Sequence, residues 1–316
     1  MRRLFFAFLV FALTGGCSIR PLPQDVAGAK YDTWDIVRRI RCEMREAIIT
    51  YIDRALVARN LGHIPPFGQR RPGLFKEMYD QRDKLGPDMK KVIERYDGAL
   101  ITYDFTFDIT ENNNLLATAN VGKAITRGTF GISLTGENNR ERHNTRTFRI
   151  SDNFIKLVVE KDEQDFCVKW DIRKQDVYAA NYIYPITGNL NLAEMTGTFL
   201  DLNQSGNLTG KDNTPPALSD NIQFVTRFSG SINPAFEISP LGSNFEVARA
   251  GITATGIRED KHSVIIVLTL PPENTSKAVA RNSQIEIAEE HIARQRVIKQ
   301  NSDLGDIARE LRGVGR

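Results

Sequence analysis

From Ile101 to Thr110 the chain alternates without a break. Ile101, Tyr103, Phe105, Phe107 and Ile109 are apolar, while Thr102, Asp104, Thr106, Asp108 and Thr110 are polar. A period of two belongs to a β-strand, whose successive side chains point to opposite sides of the sheet. A helix would scatter the same residues around its surface. The segment predicts a strand with one buried and one wet face, and it commits the middle of the chain to a sheet.

Further strands are expected around it. Glu111 to Asn114 predicts a turn, since Asn tolerates left-handed backbone, with residues 115–121 returning as the partner strand. Alternation resumes at 129–135 through Phe130, Ile132 and Leu134. Residues 136–146 predict a polar loop, and 147–150 a resumed strand. Strands at 222–232, 236–239, 245–256 and 263–270 follow. In the last, Val264, Ile266, Leu268 and Leu270 alternate with Ile265 and Val267, so both faces are apolar and the strand belongs at the sheet centre.

Helices flank this region. Val37, Ile40, Met44, Ile48, Tyr51 and Ala55 recur at helical spacing, Asp32 or Thr33 supplies the cap, and Ile36, Ala47, Ile52 and Leu56 widen the stripe. Arg38, Arg39, Arg41 and Arg45 lie on the same helix. They are read as a solvated face beside Glu43 and Glu46, with an anion or headgroup site as the sharper alternative. Residues 74–96 predict a helical stretch broken at Gly86-Pro87, and 153–164 and 190–202 predict short helices. The charged segment 273–316 has only the thin stripe Ile285, Ala288 and Ile292. It reads as a surface helix with a frayed end, or alternatively as a partner-docking helix.

Helices first, strands after and a helical close argue for an α+β chain, with N-terminal helices packed on an antiparallel sheet of about 7–8 strands and a C-terminal helical tail. The expected divisions are 1–16, 17–30, a helical segment 31–98, a β-rich domain 99–272, and the tail 273–316.

Arg2 and Arg3 precede an apolar run at 4–13, and Leu13-Thr14-Gly15-Gly16-Cys17 follows. A run of ten residues is half what a spanning helix needs, about 20, and fits a secretory signal. The Leu-Thr-Gly-Gly-Cys segment resembles the lipobox of bacterial lipoproteins. That resemblance implies cleavage before Cys17, a diacylglycerol thioether on its sulfur, and acylation of the new amine. Ser18 at the second mature position implies transfer to the outer membrane. Residues 18–30 then read as a tether reaching about 40 Å when extended. Residues 35–43, DIVRRIRCE, with the tether and strands after them, are similar to a set of uncharacterised bacterial envelope lipoproteins.

With Cys17 committed to lipid, Cys42 and Cys167 remain as an even pair in an exported chain. They predict a disulfide, with two buried thiols as the alternative. The 42 basic and 39 acidic residues give a formal net charge of +3, which excludes a basic footprint for nucleic acid.

Chemical motifs are sparse. His63, His143, His262 and His291 stand apart and read as surface residues, with no metal-ligand spacing. No phosphate-binding glycine loop is present, and no cofactor is expected. Gly131-Ile132-Ser133-Leu134-Thr135 approaches a nucleophile elbow, but Thr135 stands where the motif requires Gly, and the segment alternates as a strand. Asp104 and Asp108 share a strand face about 13 Å apart, too far for a paired-carboxylate mechanism. Arg140, Arg142, His143 and Arg146 form a candidate anion site, or keep a loop solvated. The sequence therefore reads as a non-catalytic envelope lipoprotein, lipid-anchored at the periplasmic face of the outer membrane, with a binding or assembly role and a membrane or another envelope protein as partner. A pore-associated or barrel-forming protein is the alternative, since amphipathic strands suit an outer-membrane barrel. An envelope hydrolase is a third reading, without a recognisable nucleophile.

Overall fold

Asp32 opens the first helix. Its carboxylate accepts a hydrogen bond from the Asp35 backbone N–H at 2.7 Å and caps α1, Thr33–Val57. In this computed structural model, which describes residues 21–22, 32–125, 128–160, 166–167, 190–206, 208, 215–237, 246–272 and 276–313, the helical stretch at 74–96 is broken as the sequence implies. α2, Leu74–Asp80, gives way to a 3-10 turn, Arg82–Leu85. Pro87 then sits in the first turn of α3, Pro87–Asp97, where its missing N–H costs nothing. Two long strands follow, β1, Leu100–Ile125, and β2, Gly128–Asn153. Asn153 caps α4, Phe154–Val159, by accepting from the Lys156 N–H. α5, Leu192–Gln204, precedes β3, Ala217–Ile232, the short β4, Ala235–Glu237, and β5, Glu246–Thr269. α6, Lys277–Gly313, closes the chain.

The result is a mixed fold of helices and one antiparallel sheet, in the order β2-β1-β5-β3 with β4 paired to β5. Among the described residues, four long strands and the short β4 stand in place of the expected seven or eight. Glu111–Asn114 is not a turn and residues 136–146 are not a loop; β1 and β2 run straight through both. Their polar residues pair across the sheet: Asn114 donates to Glu137 at 2.9 Å, and Arg142 bridges Glu111 at 2.7 Å. Residues 246–269 likewise form one strand.

The chain divides into two units, and each long strand contributes to both. The first comprises Met1–Val26, Phe107–Thr145 and Val225–Lys261; the second comprises Ala27–Thr106, Arg146–Phe224 and His262–Arg316.

The second unit holds the apolar core. Ile101, Tyr103 and Phe105 of β1 are buried with Val264, Ile266 and Leu268 of β5. β5 is an interior strand whose residues 262–269 are buried on both faces, as their double apolar pattern implies. The Tyr103 side lies beside the pair that Arg41 of α1 makes with Asp152 of β2, and α5 packs along α1. The opposite face of β1 is not wet. Thr102 and Asp104 are buried, and Asp104 receives Arg149 and, at 2.6 Å, Arg296 of α6. Ala288 and Ile292 of α6 pack on Ile265 and Val267. Gln284 donates to the carbonyls of Gly98 and Thr269. A thin apolar stripe thus suffices to dock α6, because one buried carboxylate and two buried carbonyls find donors on the same helix. Gly98 is required where it stands: a Cβ there would come within 2.9 Å of the Pro271 ring.

The arginines of α1 overturn the solvated-face reading. Arg39 and Arg45 are 1% exposed, and Arg41 and Glu43 are buried. Arg41 grips Asp152 through two hydrogen bonds, of 2.7 and 2.5 Å. Arg45 donates to the Val158 carbonyl and lies 5.1 Å over the Phe75 ring. Glu43 accepts the N–H groups of Leu190 and Leu192. Hydropathy periodicity cannot separate a charge facing water from one facing a partner, and these face partners.

Candidate functional site

The sheet of the first unit has two unlike faces, which can be followed residue by residue. Thr118 of β1 lies against Gly251 of β5, and Asn113 lies against Gly256. Odd positions of β1 therefore share a face with even positions of β5, and these two pairs run in opposite directions along the strands. The Arg142–Glu111 and Arg258–Glu111 bridges place even positions of β2 on that same face. A shallow site lined by Glu111, Arg142, Phe228 and Arg258 adds even positions of β3.

On this face Leu115, Phe130, Ile132, Leu134, Ile232 and Ile252 are exposed; the three on β2 are 53, 49 and 58% accessible. The other face is polar. His143 meets Asp108 at 2.6 Å, Asn114 meets Glu137, Arg227 meets Glu259 at 2.8 Å, and Thr253 donates to Asn233. Val225 and Ile257 are its exposed apolar exceptions. Alternation builds this contrast, because each strand sends every second residue to the same side.

Each strand has an uncharged stretch, at 112–122 of β1, 128–136 of β2, 228–236 through β3 and β4, and 250–257 of β5. The stretches are staggered, since Glu137 of β2 meets Asn114 and Arg249 of β5 pairs with Glu237, and they overlap near 115–119, 132–136, 232–236 and 250–254. Below that level on the apolar face comes a charged belt, in which Glu111 bridges Arg142 and Arg258, and Arg258 also binds Asp260 at 2.7 Å. Burial of the Arg258 guanidinium opposes its charged form, but Asp260 and Glu111 outweigh it and raise its pKa. Residues 21 and 22 lie on this belt: Asn144 donates to the Pro21 carbonyl at 2.7 Å and Arg258 to the Leu22 carbonyl at 2.8 Å.

Sequence reasoning missed this site because it cut the strands at Glu111–Asn114 and 136–146. The charge-free stretches were visible, but their alignment appears only once the strands pair. The candidate anion cluster is not assembled. On a strand, Arg140, Arg142 and Arg146 point to one face and His143 to the other. Arg142 is committed to Glu111, His143 to Asp108, and Arg146 donates to Thr33. Ser133 lies within β2, as its alternation implies. Cys42 and Cys167 form a disulfide with Cα atoms 5.6 Å apart, beside Phe67. Cys17 lies outside the described residues. His262 is buried rather than on the surface, and His291, half-buried, meets Ser219 at 3.1 Å. Burial holds the His291 pKa below the usual histidine range, with Arg294 adding to the effect.

A family model described as uncharacterised protein y4kA matches residues 20–295. A protein of Sinorhizobium fredii (strain NBRC 101917 / NGR234), described as uncharacterized protein y4kA, is 31% identical over 279 residues, covering 86% of this chain and 84% of that protein. The chain belongs to the y4kA family. The y4kA match spans all five strands, both disulfide cysteines and residues 21–22, so the two-faced sheet lies wholly within the family region.

Other candidate chemistry in this y4kA-family chain is weaker. Among the described residues, no three His, Cys, Asp or Glu side chains are grouped to hold a metal ion. A cleft of about 560 Å³ in the second unit brings Arg45, Arg71 and Lys76 against Asp80 and Glu160, and this mixed charge selects no sign of ligand. Glu43 makes a pH-dependent contribution. Burial pushes its carboxyl up, against the pull of the Leu190 and Leu192 N–H donors and of Arg39. A carboxyl raised on folding binds protons more readily in the native state, so its stabilising share is full below the unfolded value, about 4.3, and is lost as pH rises through the folded value. Glu43→Gln is expected to flatten the fall in urea midpoint between pH 4 and pH 7. An unchanged slope would remove Glu43 from the account.

Proposed function

We propose that this chain is a lipid-anchored, non-catalytic envelope protein whose two hairpins, β1–β2 and β3/β4–β5, place the apolar face of their sheet in a lipid bilayer. The two-faced sheet of the first unit carries the reading. An outer-membrane strand alternates apolar-out and polar-in, and here Leu115, Phe130, Ile132, Leu134, Ile232 and Ile252 are exposed on one face, around an uncharged level where the stretches 112–122, 128–136, 228–236 and 250–257 overlap. The N-terminal segment supports the same placement. Pro21 and Leu22 sit at the polar margin of the apolar face. Cys17 is four residues before Pro21, within about 14 Å of chain, so acyl groups on Cys17 would enter the bilayer beside this face. No helix among the described residues is long and apolar enough to cross a membrane, and the proposal places the crossing on strands. This favours the barrel-forming form of the assembly role; outer-membrane location is part of the proposal.

The test is an alternation of environment. Ile132→Cys, Ser133→Cys, Leu134→Cys and Thr135→Cys are made in the full-length, lipidated protein, labelled with an environment-sensitive dye, and reconstituted in phosphatidylethanolamine–phosphatidylglycerol vesicles. Labels at 132 and 134 should emit at shorter wavelength and be quenched by spin-labelled acyl chains, while those at 133 and 135 report water. Four water-like spectra would end the membrane reading. Intact mass of the mature protein tests the anchor separately: a chain starting at Cys17 and carrying fatty acyl mass is expected, and Cys17→Ser should lose it.

A further inference from the structure

The sheet of the first unit is open. Its order is β2-β1-β5-β3, so among the described residues β2 and β3 each have a strand on one side only, and β4 continues the β3 side along β5. An edge strand presents a row of backbone donors and acceptors. In water these can be solvated, but in hydrocarbon each one left unpaired costs several kcal/mol, so only a closed sheet crosses a bilayer. The smallest such barrels have about 8 strands. The described residues of one copy bring four long strands, fewer than such a barrel needs.

We infer that the missing strands come from further copies of this chain, the β2 edge of one copy pairing with the β3/β4 edge of the next to close a ring. This rests on the membrane-embedded reading above. Three observations fit identical copies. β1 and β3 lead towards the hairpin connections and β2 and β5 lead back, so β2 beside a neighbour's β3 is antiparallel, and every strand around the ring alternates in direction. The charge-free stretches of the two edges, 128–136 and 228–236, overlap in level near 132–136 and 232–236, so joining them extends one short uncharged belt. The two edges are different surfaces of the same molecule, which makes the joint head-to-tail, and head-to-tail joints generate rings when the rotation closes. The strand total would be a multiple of four, and the His143–Asp108, Asn114–Glu137 and Arg227–Glu259 pairs would line the interior.

The edge guards agree with this arrangement. Pro234 interrupts the β3/β4 edge, while its carbonyl still accepts from the Ile252 N–H. Residues 128–136 of β2 contain neither proline nor charge, so nothing there discourages a neighbouring strand.

The experiment uses full-length lipidated protein in detergent and in the same vesicles. Ser229→Cys is made in one preparation, and Glu137→Cys, Asn139→Cys and Glu141→Cys singly in others. All four residues are on the polar face, and Cys42 and Cys167 are already joined. On oxidation after mixing, Ser229→Cys should cross-link to at least one β2 variant and not to itself, and native mass should be one fixed multiple of the chain. A native mass of one chain, or cross-links only between identical positions, overturns the ring. If the dye alternation persists in that case, the membrane reading stands and another protein closes the sheet. A fixed multiple with β2–β3 cross-links but without dye alternation supports edge pairing between copies and overturns their placement in lipid.

Discussion

Replacing Cys42 and Cys167 together by alanine is expected to lower the unfolding free energy by about 4–5 kcal/mol. The bond joins residues 125 apart in sequence. A cross-link over roughly 100 residues restricts the unfolded chain by about 4.7 kcal/mol in the loop-entropy account. The native surroundings reinforce it. Both cysteines are buried beside Phe67, and Phe166, next to Cys167, carries Arg41 5.1 Å over its ring. The disulfide therefore fastens α1 to the segment at 166–167 at a point where aromatic and cationic groups also meet. Urea titration of the oxidised protein, of the reduced protein and of the double variant provides the measurement. The last two should coincide, well below the first. A double variant as stable as the oxidised protein would show that the cross-link restrains a loop already restrained by packing.

Asp152→Ala is expected to cost about 3–5 kcal/mol, as large as an aromatic core truncation. Asp152 and Arg41 retain side-chain exposures of only 10 and 11%. Removing the carboxylate leaves a guanidinium buried without its bidentate partner, and that penalty, rather than the Coulomb attraction of the pair, dominates. Tyr103 lies beside the pair, fully buried, its hydroxyl held well above the usual tyrosine range by burial and by Asp152. The diagnostic is the double change Arg41→Met with Asp152→Ala, which should be less damaging than Asp152→Ala alone. If thermal melts show the two costs simply adding, the pair is not coupled and the explanation fails. The i,i+4 bridge Lys76–Asp80, with both side chains more than half exposed, is expected to contribute less than about 0.5 kcal/mol.

Some of this fold was legible in residue order alone. The α1 stripe, the break before Pro87 and the central position of residues 263–270 each rest on backbone chemistry or on a period that one face of one element determines. What was not legible depends on pairing between elements. Asn112, Asn113 and Asn114 look like a turn, because asparagine tolerates left-handed backbone, and nothing local reports that Glu137 waits across the sheet for Asn114. Arg41 and Arg45 look solvated, because Asp152 and the Val158 carbonyl lie more than a hundred residues away. The candidate anion cluster failed for a related reason: residues adjacent in a loop can converge, whereas on a strand alternate ones diverge. The charge-free stretches were present in the string throughout, but their meaning lies in the strand register, which makes four of them overlap at one level.

The sharing of each long strand between the two units constrains how the molecule can be dissected. The polypeptide passes between the units five times, so no single truncation from either terminus yields one of them intact. Excising the hairpins requires two internal deletions, 107–145 and 225–261, each closed by a tight turn joining the stumps of paired strands. A protease nick within a hairpin would leave its halves held only by the ladder, and proteolytic trimming of the ring proposed above should stop where the strands enter the second unit.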